Sequence, residues 1–189
     1  SKGYVIDGHK FIPLGKDFKV DTRVLEKNKK KRKGIEFETE IQRHRTAMVR
    51  YGFSAPIQSL MRFGFLDGNY SFFDYGCGRG DDLRGLIEND IQASGWDPHY
   101  DKDKPKIESD LVNLGFVLNV IEDYQERIDA IQAAYSLSRG LLVIAVMLEN
   151  SNANSGKIYR DGVLTSRDTF QKYFTPQELK EFVQNNLNE

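Results

Sequence analysis

The chain has 189 residues, 39% hydrophobic and 29% charged, with 27 Lys+Arg against 28 Asp+Glu. This composition supports one ordinary folded domain and excludes a wholly disordered or collagen-like chain. The longest apolar run, residues 141–148, is far shorter than the ~20 residues of a membrane-spanning helix, and a single cysteine, Cys77, excludes an internal disulfide framework and a multi-cysteine zinc site. Without an apolar leader, the expectation is a cytoplasmic protein with no membrane contact.

Residues 1–40 read as a charged, irregular arm. Lys27, Lys29, Lys30, Lys31, Arg32 and Lys33 form a basic block, followed at once by Glu36, Glu38 and Glu40. Two readings of the block stand side by side: a solvated arm, or a contact to a phosphate backbone through counterion release. No aromatic residue interrupts it, so it offers no platform for stacking bases.

Residues 41–189 read as the folded domain, with a helical N-terminal part over 41–66. Helical spacing over 37–51 sets Ile41 and Met48 on one side, with Arg43, His44, Arg45 and Arg50 among them. A second helix is predicted over 54–63, with Ser54 as N-cap, Pro56 in the first turn and Gly64 just past the end.

From Tyr70 onward strands and helices alternate. The predicted order is a strand over 71–75, a helix over 81–88, a strand over 93–96 and a buried strand over 110–116. A helix over 123–138 follows, with Ile128, Ile131 and Tyr135 on one face, then a central strand over 141–148 bounded by Gly140. Thr175-Pro176-Gln177-Glu178 reads as a capping box opening a last helix, whose Leu179, Phe182 and Val183 face the core. This alternation predicts an α/β protein with a mainly parallel, Rossmann-like sheet.

The segment Phe72-Phe73-Asp74-Tyr75-Gly76-Cys77-Gly78-Arg79-Gly80-Asp81-Asp82 carries the most chemistry. Gly76, Gly78 and Gly80 lie between a strand and a helix, where the missing Cβ atoms permit a sharp turn and close approach of a ligand. The spacing is G-x-G-x-G rather than G-x-G-x-x-G, and Asp81 and Asp82 place negative charge where a dinucleotide's pyrophosphate would sit. A cationic nucleoside suits the loop better. S-adenosylmethionine carries a sulfonium and an ammonium, and Asp74 at the strand end would attract the ammonium. Asp97 lies 21 residues after Gly76, at the end of the next strand, a separation suited to a carboxylate that binds ribose hydroxyls. Trp96 is a candidate wall for adenine, and Asn113 joins the candidate cofactor-binding residues. Cys77, inside the loop, reads as a space-filler.

Asp74 to Gly80 resembles the first motif of class I S-adenosylmethionine-dependent methyltransferases, and residues 110–123 resemble that fold's fourth strand and following turn. More closely, Arg43-His44-Arg45-Thr46-Ala47, residues 73–82, residues 112–123, and Asp161-Gly162-Val163-Leu164-Thr165 with Thr169-Phe170-Gln171-Lys172-Tyr173-Phe174 resemble the DNA phosphorothioation-associated methyltransferase family, over about residues 41–184. The resemblance implies the class I methyltransferase fold, a setting among bacterial DNA-modification or restriction proteins, and DNA or RNA as possible partners. It does not supply an acceptor. Two departures are expected: the 12 residues between Asp97 and Asp110 leave no room for a full helix and third strand, and the usual final antiparallel strand pair has no counterpart after the last helix.

Acceptor chemistry is less legible. The Asp/Asn/Ser-Pro-Pro-aromatic signature of exocyclic-amine DNA enzymes is replaced by Asn113-Leu114-Gly115-Phe116, and no cysteine is placed for cytosine carbon-5 chemistry. His44 and Asn119 are the candidate catalytic residues, with a surface-helix position and a turn cap as their structural alternatives. Arg43, Arg45, Arg160 and Lys172 are the candidate substrate-binding cations, Arg160 and Lys172 in a segment with Asp161, Thr165 and Arg167. A small-molecule acceptor, or a non-catalytic cofactor- or partner-binding module, remains as an alternative to nucleic acid.

Overall fold

The computed structural model describes residues 41–149 and 156–187, together with the backbone of two short strands near the N-terminus. Those strands, β1 (Tyr4–Asp7) and β2 (Lys10–Pro13), pair antiparallel within a unit of their own, Ser1–Ile35. The expected irregular arm therefore contains a hairpin. The basic block at 27–33, and residues 37–40 of the expected first helix, lie outside the described residues.

The larger unit, Glu36–Glu189, is built on a parallel sheet. β3 (Phe72–Tyr75) leads through α2 (Asp81–Glu88) to β4 (Ala93–Trp96), and β5 (Ser109–Gly115) leads through α3 (Tyr124–Leu137) to β6 (Ser138–Ala145). The spatial order is β4-β3-β5-β6, all parallel. β3 is buried along its whole length, because both its faces are covered. Alternation along the strands splits the apolar side chains between two clusters. Phe72 and Leu111 pack with Ile57, Leu60, Leu83 and Leu86, while Phe73 and Val112 pack with Ile131, Ala134, Phe174 and Phe182. From β3 the chain leaves to one side for β4 and then returns to the other side for β5. That reversal opens a crevice at the carboxyl ends of the strands.

α1 (Ala55–Arg62) starts after Ser54 and ends as expected. Gly64, at φ +74°, lets its own N–H reach the Met61 carbonyl at 3.1 Å and the Phe65 N–H reach Leu60 at 3.0 Å. Ser54 contributes through its backbone, whose N–H donates to Asp82, and not through a side-chain cap. α4 (Pro176–Leu187) has half of the expected capping box: the Glu178 N–H donates to Thr175 Oγ1 at 3.1 Å, but the Glu178 carboxylate turns to Lys172.

Three expectations are corrected. First, residues 41–51 form no α-helix, only a single 3-10 turn at Arg43–Thr46. Met48 and Val49 are exposed, so that part of the segment has no apolar face to bury. Second, β6 lies at an edge of the described sheet rather than at its centre, and Gly140 falls inside it. Third, the buried face of α3 is Arg127, Ala130, Ile131 and Ala134, with Tyr135 exposed. A small antiparallel sheet, not foreseen from sequence, lies before α4. It comprises β7 (Lys157–Tyr159), β8 (Gly162–Leu164) and β9 (Phe170–Gln171).

The shortened third-strand region is as expected. Residues 98–104 form turns and 105–108 follow without regular structure, with the Asp101 N–H on the Asp97 carbonyl and the Lys104 N–H on that of Asp101, both at 3.1 Å. β4 is therefore an edge strand of the described sheet. Among the described residues no helix is long and apolar enough to cross a membrane.

Candidate cofactor site

The crevice is a cavity of about 460 Å³ at the carboxyl ends of β3, β4 and β5. Register places Asp74 on β3 beside Gly95 on β4 and Asn113 on β5. Asn113 Nδ2 donates to Asp74 Oδ1 at 2.8 Å, while Asn113 Oδ1 is buried without a partner. Burial pushes the Asp74 carboxyl up to about 7, and the Asn113 hydrogen bond only partly offsets this. A carboxylate and an orphaned carbonyl oxygen thus lie side by side on two residues that line one cavity.

The glycine loop is stitched to β4. The Gly76 and Cys77 N–H groups both donate to the Trp96 carbonyl, at 2.8 and 3.1 Å. Gly76 has φ +86°, and a Cβ there would lie 2.4 Å from Val117 Cγ2. Replacing Gly76 by Ala is expected to cost about 2–4 kcal/mol in urea unfolding, combining left-handed strain with overpacking. Adding Val117→Ala should recover the packing part and leave the strain.

Both Asp97 oxygens accept from backbone N–H groups. Its Oδ2 accepts from the Gly78 N–H at 3.0 Å, and its Oδ1 accepts from the N–H groups of His99 and Tyr100 at 2.8 and 3.0 Å. The carboxylate therefore shapes both the loop and the turn after β4. Trp96 lies at the cavity wall with its Nε1 donating to the Lys102 carbonyl at 3.2 Å. Burial, and then the charges of Asp74, Asp97 and Asp101, push the Cys77 thiol up to about 12, so it stays protonated and fills space.

Residues 41–54 run as a strap along the cavity, a feature not foreseen from sequence. At one end the Arg43 guanidinium straddles Glu122 and Glu126, with both bonds to Glu122 at 2.8 Å. At the other, the Arg50 N–H donates to Asp81 Oδ2 and the Ser54 N–H to Asp82 Oδ1, both at 2.8 Å. Asp81 and Asp82 thus do more than repel phosphate: they bind a second segment from the first turn of α2, where negative charge suits the helix dipole. Two aspartates directly behind the glycine loop were the visible signal. Between the anchors, the His44 ring stacks on His99, centroids 4.2 Å apart, and the Tyr100 hydroxyl donates to the His44 carbonyl at 3.0 Å.

Of the residues singled out from sequence, Asp74, Gly76, Gly78, Trp96, Asp97 and Asn113 line the cavity, as do Arg43 and His44. Gly80 caps α2 at φ +73° without lining it. Asn119, Arg45, Arg160 and Lys172 are not brought to the cavity. Asn119 is buried, and its carbonyl accepts the Lys172 N–H at 2.7 Å. Arg45 donates to the Arg167 carbonyl at 3.3 Å, and Arg160 pairs with Asp123 at 3.2 Å. Lys172 is buried against Glu178 at 2.7 Å and Asp161 at 3.4 Å. Phe116 and Arg50, given no role from sequence, also line the cavity, Phe116 in a left-handed conformation at φ 61°. Among the described residues no group of three or more His, Cys, Asp or Glu side chains could hold a metal ion.

Two solved structures share this architecture. One is an O-methyltransferase family protein from Burkholderia thailandensis, with 16% identity, TM-score 0.51, and coverage of 69% of this chain and 49% of that one. The other is the 1,6-didemethyltoxoflavin-N1-methyltransferase of the same organism, solved with 1,6-didemethyltoxoflavin and S-adenosylhomocysteine, with 15% identity, TM-score 0.51, and coverage of 98% of this chain and 88% of that one. The chain has the Rossmann-like methyltransferase fold. At these identities the likeness is one of fold, and the chain spans about half the length of the O-methyltransferase family protein. No protein-family model and no curated protein matches the chain, so the DNA phosphorothioation-associated family rests on its four motifs alone. Within the methyltransferase fold, the cavity lies at the switch point where a nucleoside ligand is expected.

Proposed function

We propose that the chain binds S-adenosylmethionine in this cavity and transfers its methyl group to a small, largely apolar acceptor. The carrying observation is the pair of buried acceptors, Asp74 and the unpartnered Asn113 Oδ1, beneath a glycine loop. They fit an ammonium, which desolvates favourably only beside a carboxylate and needs several hydrogen-bond acceptors. Asp97, just past β4, lines the cavity, and with three N–H groups on its two oxygens it would have capacity left for ribose hydroxyls. The cofactor would supply an electrophilic methyl group on sulfonium; the protein's part is to orient it, exclude water and hold the acceptor in line.

The walls favour a small acceptor. Phe116, Val117, Val120, Ile121, Ala130 and Ala133 line the cavity, and Arg43 is neutralised by Glu122 and Glu126. Arg160 and Lys172, expected to hold an anionic substrate, are paired with acidic residues away from the cavity. The 1,6-didemethyltoxoflavin-N1-methyltransferase that shares the fold was solved with 1,6-didemethyltoxoflavin bound. His44, which lines the cavity stacked on His99, would be the group to accept a proton from an acceptor. Nucleic acid, in a DNA-modification setting, is the second reading, supported by the basic run at 27–33 and the four-motif resemblance.

Calorimetric titration with S-adenosylmethionine and S-adenosylhomocysteine, with NAD as control, tests the cofactor. Micromolar binding of the first two, absent for NAD and weakened at least ~10-fold in Asp97→Ala with an unchanged circular dichroism spectrum, is expected. No binding to the folded protein overturns the reading. Labelled methyl groups offered to small heteroaromatic amines, DNA and RNA then separate the two acceptors.

A further inference from the structure

Arg50 makes no ion pair among the described residues, although it is half-buried and lines the cavity. Its backbone is fixed by the N–H bond to Asp81 at 2.8 Å, and its guanidinium lies over the Phe116 ring, 5.8 Å from the centroid. A guanidinium presents five donors and stays charged, so leaving it half-desolvated without an anion is costly unless a ligand supplies one. The other cations at the cavity are differently placed. Arg43 is taken by Glu122 and Glu126. Arg79 and Lys106 are exposed and lie over the rings of Tyr100 and Trp96, at 5.1 and 3.8 Å.

Arg50 also sits near Asp74: its charge favours the ionised form of that carboxyl, yet the two form no salt bridge. The cavity therefore holds an unpaired cation and a buried carboxylate, close but apart. An α-amino acid group has the matching arrangement, with ammonium and carboxylate on one carbon.

We propose that Arg50 is the carboxylate-binding residue of this site, reading the α-amino acid end of the bound nucleoside while Asp74 and Asn113 take its ammonium. The assignment rests on the S-adenosylmethionine reading. It gives the strap a role in binding: the residue that completes the zwitterion site is carried by a segment anchored to Asp81, Asp82, Glu122 and Glu126, so ligand and strap stabilise each other. The ligand class is narrowed to nucleosides bearing an intact amino acid.

The test compares S-adenosylhomocysteine with its decarboxylated amine analogue, which keeps the ammonium and lacks the carboxylate. Both are titrated calorimetrically into the wild-type chain, Arg50→Met and Arg50→Lys. The wild type is expected to prefer S-adenosylhomocysteine by roughly 10- to 100-fold, the range for a hydrogen bond to a charged group. Arg50→Met should erase that preference by weakening S-adenosylhomocysteine alone, and Arg50→Lys should restore part of it. Equal weakening of both ligands in Arg50→Met would mean that Arg50 only holds the strap, and no weakening of either would mean that it faces no ligand; each overturns the assignment while leaving the cofactor reading intact. Failure of the wild type to bind either nucleoside overturns the cofactor reading, and the assignment with it.

Discussion

Asp74→Asn should make the ligand-free protein more stable at pH 8 while removing most of its affinity for S-adenosylhomocysteine. Burial lifts the Asp74 carboxyl to about 7 from an ordinary 3.8. The native state therefore binds a proton that the unfolded chain releases, and stability contributed by the protonated form is full below about pH 4 and lost as pH rises to 7. At pH 8 the buried charge costs about 2–4 kcal/mol, from about 1.4 kcal/mol per pKa unit reduced for local relaxation. Asn avoids that cost and can still accept the Asn113 hydrogen bond. Urea unfolding should show a gap between variant and wild type at pH 8 that closes towards pH 4. In the wild type, S-adenosylhomocysteine affinity should fall as pH drops below about 7, where Asp74 takes up its proton, and the variant should bind weakly without that dependence. A variant less stable than wild type at pH 8, or one with undiminished affinity, would contradict this account.

The second large effect is structural. Arg127 on α3 is only 1% exposed, and its Nη1 and Nη2 donate to the two Asp161 oxygens at 2.7 and 2.6 Å. Lys172 joins the same carboxylate at 3.4 Å and Glu178 at 2.7 Å. This network ties the small antiparallel sheet to α3 and α4. Asp161→Asn leaves the Arg127 charge buried without its counter-ion and is expected to destabilise the protein by about 3 kcal/mol. Burial alone would raise the Asp161 carboxyl, but Arg127 and then Lys172 outweigh it and hold it below the usual range. Its contribution is present above the ordinary carboxylate range and lost as pH falls through that lowered value, so the variant should be less sensitive to acid there. Arg127→Met combined with Asp161→Asn should be more stable than Asp161→Asn alone, because the orphaned charge is gone.

Local pattern carried much of the architecture. Gly64 placed the end of α1, the glycine loop marked the passage from β3 to α2, and Asp123 and Pro176 marked the starts of α3 and α4. Asp74, Asp97 and Asn113 were also legible, since a residue at a strand's carboxyl end faces the crevice whatever its distant neighbours are. The first helix failed because helical spacing around Ile41 and Met48 says nothing about whether an apolar surface awaits that face; none does for Met48. The cations failed for a related reason. Arg160 and Lys172 look alike in sequence whether they meet a ligand or a carboxylate, and the partners, Asp123, Asp161 and Glu178, are set by packing.

The sequence by itself determined the parallel α/β layering, the glycine loop and the acidic strand ends, all properties of short-range periodicity and backbone sterics. The tertiary structure alone decided which charges are spent and which are left over. Only folding brings Arg43 to Glu122, the Arg50 N–H to Asp81 and Arg127 to Asp161, pairs separated by 79, 31 and 34 residues. What remains after that pairing, Arg50 beside Asp74 and the unpartnered Asn113 Oδ1, is what makes the cavity a candidate binding site. Charge neutralisation is a through-space property, and no local sequence signal contains it.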